Sequence, residues 1–544
     1  MPQQPSIFEH VLSHINPDLP GLMENGDDLP DEDIIAEGRQ IRFAPGAMEG
    51  CFARHFDSDE EDEEEEKETR ERVALIHKAI VTLSDKPSAA ARERVRQIFR
   101  EGEARKIVLP LIQQLAETPP KKQNNLYQEM KQFFLKSSHR EDVKYSLVLL
   151  SCFHKDEDIP LFRTIGRHEE FTYYAALALA QTAADPLSEW MDLMRHVTGW
   201  GKIELVGLLL QNLEQPVCHF LLRAGCTNSV MNGYTALPIA SLCNLHGELT
   251  ADNPDKELLQ GAQDIIASLL EDAMSGGPDG DMFDYPEGGQ ATENFLRHFD
   301  EHTLGLETYL TVDAIWRFVL SEQEEEKFLE CGFAQARRER LRQLCQTILK
   351  RPCWKDMAQA ALDSDSEFDH HLGITVSRRL GLPVRDFIIA QLKEHPHSEQ
   401  MWWELVRATD EEEMDEVLRL VPTLIDVDSL PALPGTELGL GSQFLLHRCV
   451  NLILQELQRF PGKGWFLIDK ALHSEVVSNR LLALRALSAW SDDDLSLDRT
   501  GKEQDSQRAD FLDKLKESLE ITLLDPDEKV REACADLLAR LSGN

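Results

Sequence analysis

Basic residues are scarce in this chain of 544 residues: 57 Lys and Arg stand against 97 Asp and Glu, a formal charge of −40. A field of that sign repels phosphate backbones and anionic headgroups, which excludes generic nucleic-acid binding. Long apolar runs are missing as well, and none approaches the ~20 residues a membrane-spanning helix needs. The opening MPQQPSIFEHVLSHINPDLPG has neither the basic start nor the apolar stretch of a secretory signal. A cytoplasmic protein with no membrane span and no nucleic-acid partner is the expectation. Ten cysteines include no C-x-x-C pair and no small-protein disulfide spacing, so reduced, mostly buried thiols are expected. What the chain has is 42% hydrophobic and 28% charged residues, the composition of a globular protein long enough for about three or four ordinary domains.

Composition shifts mark the organisation. After an N-terminal helical segment, 1–56, the stretch DSDEEDEEEEKETRER at 57–72 offers nothing apolar to bury and reads as an acidic linker or the frayed start of a helix. SGGPDGDMFDYPEGGQ at 275–290, with five glycines and two prolines, is the best internal boundary. A loop at 426–442 carries Pro431, Pro434, Gly435, Gly439 and Gly441, and SDDDLSLDRTGKEQDSQ fills 491–507. The regions between, 73–274, 291–425 and 443–544, read as helices.

One helical face recurs. Val143, Leu147 and Leu150 share the spacing 0, +4, +7 with Phe171, Ala175 and Ala178, and again with Ile203, Gly207 and Leu210. Near the C-terminus Val477, Leu481 and Leu484 repeat it, as do Val530, Cys534 and Leu537, where Pro526 suits a first helical turn. On this register Ala175, Ala178 and Leu179 should be buried while Glu169 and Glu170 stay wet. Asp527, Val530, Arg531 and Ala533 resemble the second helix of a HEAT repeat. One helix pair can cover only one side of its neighbour, so the expected fold is all-α, a HEAT/armadillo-like α-solenoid of stacked helix pairs. Within 73–274, an ankyrin-like unit near 205–272 is suggested by Leu221, Leu222, Gly225, Asn232, Gly233, Thr235, Ala236, Leu237 and Ala240. These resemble the junction of two ankyrin repeats, although Pro238 replaces the usual His. The Gly233 turn followed by a capping Thr235 gives that spacing a physical reason.

Searches for chemistry return little. GLGSQF at 439–444 places Phe444 where a dinucleotide turn needs Gly or Ala, and no apolar strand precedes it. GWGKIEL at 199–205 lacks the earlier glycine and the following Ser or Thr of a phosphate loop. Two E-x-x-H strings, Glu367 with His370 and Glu394 with His397, are what chance supplies in so acidic a chain, and Pro396 interrupts the second. His10 and His14 share a helix face but need a third ligand to hold a metal, and the adjacent His370 and His371 point apart. Cys331 and Gly332 lack the upstream Phe and basic residue of a haem-thiolate loop. No metal site and no catalytic or cofactor-binding residue is assigned. Arg337, Arg338, Arg340 and Arg342 could dock an acidic peptide, the chain's own acidic run, or simply face solvent. Of Met401, Trp402, Trp403 and Leu405, the two adjacent tryptophans cannot both face one core. After a Thr409/Glu412 capping pair, Met414, Val417, Leu418, Val421, Leu424 and Ile425 form a core stripe.

Taken over its length, from MPQQPSIFEH through GYTALPIA to VREACADLLARL, the chain resembles the acidic, bacterial HEAT-type limonene hydroxylase family. That resemblance implies a small hydrophobic substrate: hydroxylation of limonene, a monoterpene, to carveol or perillyl alcohol, and further oxidation of those alcohols with NAD(P). The motifs themselves speak only to repeat architecture. A solenoid surface and a strong charge pattern also suit a non-catalytic scaffold for protein–protein interaction, with a partner of basic surface.

Overall fold

The computed structural model describes residues 5–36, 43–48, 50, 63–102, 104–300, 305–430, 433–490 and 505–541. Among them the chain is all-helical, with two isolated β-bridges and no strand. It divides into two compact units, Met1–Arg351 and Pro352–Asn544.

The first unit begins with α1 (Ile7–Ser13), α2 (Glu32–Ala36) and the long α3 (Glu63–Asp85), then α4 (Ala89–Arg100), α5 (Arg105–Glu117) and α6 (Gln123–Lys136). There follow α7 (Arg140–Ser151), α8 (Ile159–Ile165), α9 (Glu169–Thr182), α10 (Pro186–Met194), α11 (Gly199–Leu210) and α12 (Gln215–Ala224). The unit ends with α13 (Gly233–Leu242), α14 (Leu245–Glu248), α15 (Lys256–Ser275), α16 (Gly288–Arg297), α17 (Leu306–Leu320), α18 (Glu325–Glu330) and α19 (Gln335–Leu349). From α7 onward the odd-numbered helices form a ladder, α7 on α9, α9 on α11, and so through α13, α15 and α17 to α19. The even-numbered α6, α8, α10 and α12 each cover the ladder helix that follows. An arrangement in which every rung touches the next is compatible with an α-solenoid.

The second unit holds α20 (Cys353–Leu362), α21 (Glu367–Arg379), α22 (Arg385–Glu394), α23 (Glu399–Arg407) and α24 (Glu411–Leu424). It continues with α25 (Leu445–Leu457), α26 (Trp465–Leu472), α27 (Val477–Ala489), α28 (Asp505–Thr522) and α29 (Glu528–Leu541). Here α23, α25, α27 and α29 pack in succession.

Apolar stripes explain the packing. Val143, Leu147, Leu150, Phe171, Ala175, Ala178 and Leu179 are fully buried, as are Val530 and Cys534, with Leu537 nearly so. The small side chains of α9 let its neighbours on both sides approach closely, and there a bulky or charged substitute has no room. Two of the expected stripes are rotated. In α11, Val206 and Leu209 are buried and Gly207 and Leu210 half-buried; in α27, Ala483 and Leu487 join Leu484 in the core while Val477 and Leu481 lie at its edge. A run such as LVGLLL is apolar on every side, so periodicity cannot choose its inner face. The α24 stripe Met414, Val417, Leu418, Val421 is buried. Its cap is one residue from the expected pair: Asp410 accepts from the Glu413 N–H at 2.9 Å while the Glu413 carboxylate accepts from the Asp410 N–H.

The expected breaks take these forms. Of the acidic stretch 57–72, residues 57–62 lie outside the described residues and 63–72 open α3, where the i, i+4 pair Glu66–Arg70 closes at 2.8 Å. The 275–290 segment carries Met282 and Tyr285 into the core behind an Asp281/Asp284 capping box, and the division between units falls at 351/352, inside the 291–425 region. In the 426–442 loop, residues 431–432 lie outside the described residues, Leu430 is buried, and the Val477 N–H donates to the Glu437 carbonyl at 2.9 Å. Of 491–507, only the first residues of α28 are described.

Candidate functional site

A partly apolar groove lies in the first unit. The second half of α5 supplies Ile112, Leu115 and Ala116; Pro119 and Pro120 turn the chain into α6, which adds Gln123 and Leu126. The floor is Leu149 of α7, and the rim is the Cys152–Phe153–His154 turn together with Gln181 at the end of α9. These residues enclose about 360 Å³, within the ~300–1,000 Å³ usual for small-molecule sites. Local chemistry holds the rim in place. Phe153 packs edge-on to the buried Tyr127 at 5.4 Å, and the left-handed backbone of His154, φ +48°, lets its Nδ1 meet the Gln181 carbonyl at 2.7 Å. Ser151 Oγ lies 3.3 Å from Gln181 Oε1, so Gln181 is held through its backbone carbonyl and its side chain. Burial pushes the Cys152 thiol up to about 11, which keeps it a neutral, unreactive group.

A second feature is a cluster of buried charge at the N-terminal ends of α7 and α9. His139 and His168 cap these helices, each Nδ1 accepting from the backbone N–H two residues on, at 3.3 and 3.2 Å. Behind the caps, Arg140 reaches Asp31 at 3.1 Å, Glu32 at 2.6 Å and Glu170 at 3.6 Å. Lys144 closes on Glu170 at 2.7 Å. Burial drives the Glu170 carboxyl up, but Lys144 and Arg140 outweigh it and hold the group at about 2. The fully buried His168 is pushed down to about 4 by loss of solvation. Glu169 turns the other way, toward α11. Its two oxygens accept from Thr198 Oγ1 at 2.9 Å and the Trp200 N–H at 2.7 Å, at a helix N-terminus that favours an anion. Gly199 has φ +39°, and a Cβ there would sit 2.1 Å from the Glu169 carboxylate. So Glu169 and Glu170, expected to be wet, are half-buried and buried. Their partners come from neighbouring ladder helices, which the local sequence does not display. The GWGKIEL segment is this helix start, already filled by the chain's own carboxylate.

The other singled-out residues scatter. His370 is buried, its Nε2 against the Ser364 carbonyl at 2.7 Å, while Glu367, Glu394 and His397 are exposed and α22 ends at Glu394. His10 and His14 stack at 4.3 Å, with His10 Nε2 on the Gly26 carbonyl and His14 Nδ1 on that of His10. Arg337 and Arg340 both bind the nearly buried Glu293, each at 2.9 Å, and hold its carboxyl at about 2 with Arg340 the stronger partner; Arg338 pairs with Glu325. Trp402 is fully buried and Trp403 is 36% exposed beneath Arg407, as adjacent positions on a helix require. Thr235 donates from Oγ1 to the Cys226 carbonyl at 2.8 Å, bridging the turn before α13.

A nicotinamide cofactor finds no cradle in these residues. The lining of the groove contains no Lys or Arg to meet a pyrophosphate. Gly439 and Gly441 are left-handed, but they precede a short 3₁₀ turn, Ser442–Phe444, with no strand before it, and Arg448 is turned onto the Gly441 carbonyl at 2.6 Å. Comparison of the chain with family profiles, with curated proteins and with solved structures returned no match.

Proposed function

We propose that this chain is a HEAT-like α-solenoid whose Ile112–Gln181 groove binds a small hydrophobic molecule of the monoterpene class. The observation that carries the reading is the groove itself: seven apolar side chains from α5, α6, α7 and the turn between α5 and α6, with Gln123 on the α6 wall and His154 and Gln181 at the rim as the polar groups. A ring hydrocarbon gains by burial against such walls, and an alcohol derived from it can hydrogen-bond at the His154 and Gln181 rim. The reaction belongs to the full-length resemblance: limonene to carveol or perillyl alcohol, then oxidation of those alcohols with NAD(P). The groove residues account for binding alone.

The test is a titration of purified protein with limonene, carveol and perillyl alcohol, followed by ligand-observed NMR, with and without Ala116→Trp. Ala116 is exposed and lines the groove, so the indole should fill the site without disturbing the fold. Saturable binding that falls at least tenfold in the variant supports the reading; equal or non-saturable binding overturns it. Turnover with NAD(P)H and oxygen, checked by product analysis, then decides whether binding is joined to oxidation.

A second reading, a non-catalytic scaffold for a partner with a basic surface, draws on the −40 charge and on arginines that are turned inward onto Glu293, Glu170 and Asp31. It gains if the chain binds a basic protein with a steep salt dependence and turns over no monoterpene.

A further inference from the structure

His154 stands at the groove rim with a left-handed backbone, φ +48°, which is uncommon outside glycine. The turn that imposes it is held on both sides. The Phe153 and His154 N–H groups close the end of α7 on the Leu150 carbonyl at 3.1 Å and the Ser151 carbonyl at 3.0 Å. Phe153 packs edge-on to the buried Tyr127, and the Lys155 ammonium lies 3.5 Å from the centroid of the same ring. With both chain neighbours pinned to Tyr127, the imidazole is brought to Gln181, its Nδ1 2.7 Å from the backbone carbonyl. That contact decides where the proton sits. A carbonyl oxygen only accepts, so Nδ1 donates and Nε2 of the neutral ring carries a lone pair. Among the described residues no other hydrogen bond or ion pair reaches the ring, and the side chain is exposed. The other polar groups of the lining are two-sided: the Gln123 and Gln181 amides each donate and accept, and the Cys152 thiol does both weakly. His154 Nε2 only accepts.

On the reading that the Ile112–Gln181 groove binds a small hydrophobic molecule, we propose that His154 Nε2 selects the class of that molecule: a cyclic terpenoid alcohol, whose O–H donates to Nε2, in preference to the parent hydrocarbon or the derived ketone. A hydrocarbon or ketone seated against the rim takes water from the Nε2 lone pair and returns no bond. An alcohol of the same skeleton replaces the bond that was lost. The ring is fixed before the ligand arrives, so little ordering is charged against the contact. The hydroxyl must already be in place on arrival, so an oxygenation of the hydrocarbon has to supply this ligand, and the groove serves the alcohol that it yields.

The experiment uses the full chain in mildly alkaline buffer and three probes of one carbon skeleton: limonene, carveol and the corresponding ketone, carvone. Ligand-observed NMR titrations give each affinity in the wild type and in His154→Gly, which suits the left-handed turn and removes the ring. Each probe is compared with itself across the two proteins, so differences in water solubility cancel. Carveol should weaken by about three- to tenfold more than limonene and carvone, the effect of one neutral hydrogen bond. In wild-type protein made with nitrogen-labelled histidine, the Nε2 resonance of His154 should be that of an unprotonated nitrogen, should move when carveol is added, and should stay in place with carvone. A carveol loss no larger than that of the other two probes, a proton on Nε2, or an Nε2 resonance that carveol leaves unmoved overturns the proposal while the groove reading stands. Absence of saturable binding by all three probes, or binding that Ala116→Trp leaves unchanged, overturns both.

Discussion

The two units bury polar groups in different ways. In the first, a cluster of full charges, Asp31, Arg140, Lys144 and Glu170, joins stretches more than 100 residues apart in sequence, and the Gly46 N–H also donates to Glu170 at 3.1 Å. In the second, the described residues bury charge in separate places: Glu404, 1% exposed, against Arg378, and the fully buried pair Arg480–Asp525 at 2.7 Å. There His447 Nδ1 meets Asn479 Oδ1 at 2.7 Å, and Ser474 Oγ donates to the same oxygen at 2.9 Å. Though Ser474, His447 and Glu475 adjoin one another here, with His447 Nε2 3.5 Å from the Glu475 carboxylate, Ser474 is fully buried and shares Nδ1 with Asn479, so the set fixes the entry to α27 and offers no nucleophile. The contrast teaches where each unit is vulnerable. Charges that join distant segments stabilise only as a complete set, whereas a neutral latch between successive helices fails locally.

The largest expected effect breaks the first cluster. Arg140→Met removes the guanidinium from Asp31 and Glu170, leaving Asp31 only the backbone N–H of residue 140 and the nearby His139 ring, and should cost about 3–5 kcal/mol in urea unfolding. Hydrogen exchange should quicken in α1 and α2 as well as in α7. Protection unchanged in α1 and α2 would show that the N-terminal segment is held by apolar contacts alone.

Next in size is Asp525→Asn, which keeps the shape and removes the charge facing Arg480. A loss of about 2–3 kcal/mol is expected, with faster exchange confined to α27 and α29. Exchange that spreads through the whole second unit would erase the contrast between the units.

A third prediction uses acidity. Burial raises the Asp264 carboxyl to about 6. A raised carboxyl binds its proton in the native state first, so stability is gained as pH falls through 6 toward 3.8. Asp264→Asn should therefore stabilise the protein at pH 7 by about 1–2 kcal/mol, and the gain should vanish by about pH 4. His168 works against Asp264: its folded value is depressed to about 4, so stability is lost as pH falls from 6.5 to 4. Glu169, raised by burial, sides with Asp264. The wild type should be nearly level across that window, and the variant should slope down toward acid. Below 4.5, the depressed Glu170 adds its own loss as pH falls toward 2. A parallel pair of melting-temperature profiles would show that Asp264 is solvated.

The smallest effect is expected at the E-x-x-H strings. Glu367, Glu394 and His397 are exposed, and changing all three to Ala should alter stability by less than about 0.5 kcal/mol and leave any turnover within a few-fold. His370 stays in place because it is packed in the fold.

Much of the fold was legible. The 3.6-residue spacing of Val143, Leu147 and Leu150 or of Val530, Cys534 and Leu537 needs no tertiary information, and those faces are buried. Legibility failed where one face could not be told from another, as in α11, or where a polar residue's partner stands on a neighbouring ladder helix. Glu169 and Glu170 look like ordinary acidic residues in a helix's first turn, and only their neighbours at Thr198, Trp200, Lys144 and Arg140 remove them from water. One signal was present in the sequence: His139 and His168, each followed two residues later by Glu, mark two helix starts 29 residues apart. The groove was not legible, because its walls come from three separated stretches and none of its residues is unusual within its own.

Glu169 also bears on how such a chain can change length over evolutionary time. The anion that completes the start of α11 is borne by the first residue of α9, so each of these two rungs depends on the other for its correct termination. Excising the pair α9–α10 would leave the Thr198 hydroxyl and the Trp200 N–H without their carboxylate, unless the new neighbour had an acid at the same place. A change in the number of helices between α7 and α11 must therefore carry donor and recipient together if the start of α11 is to keep its anion.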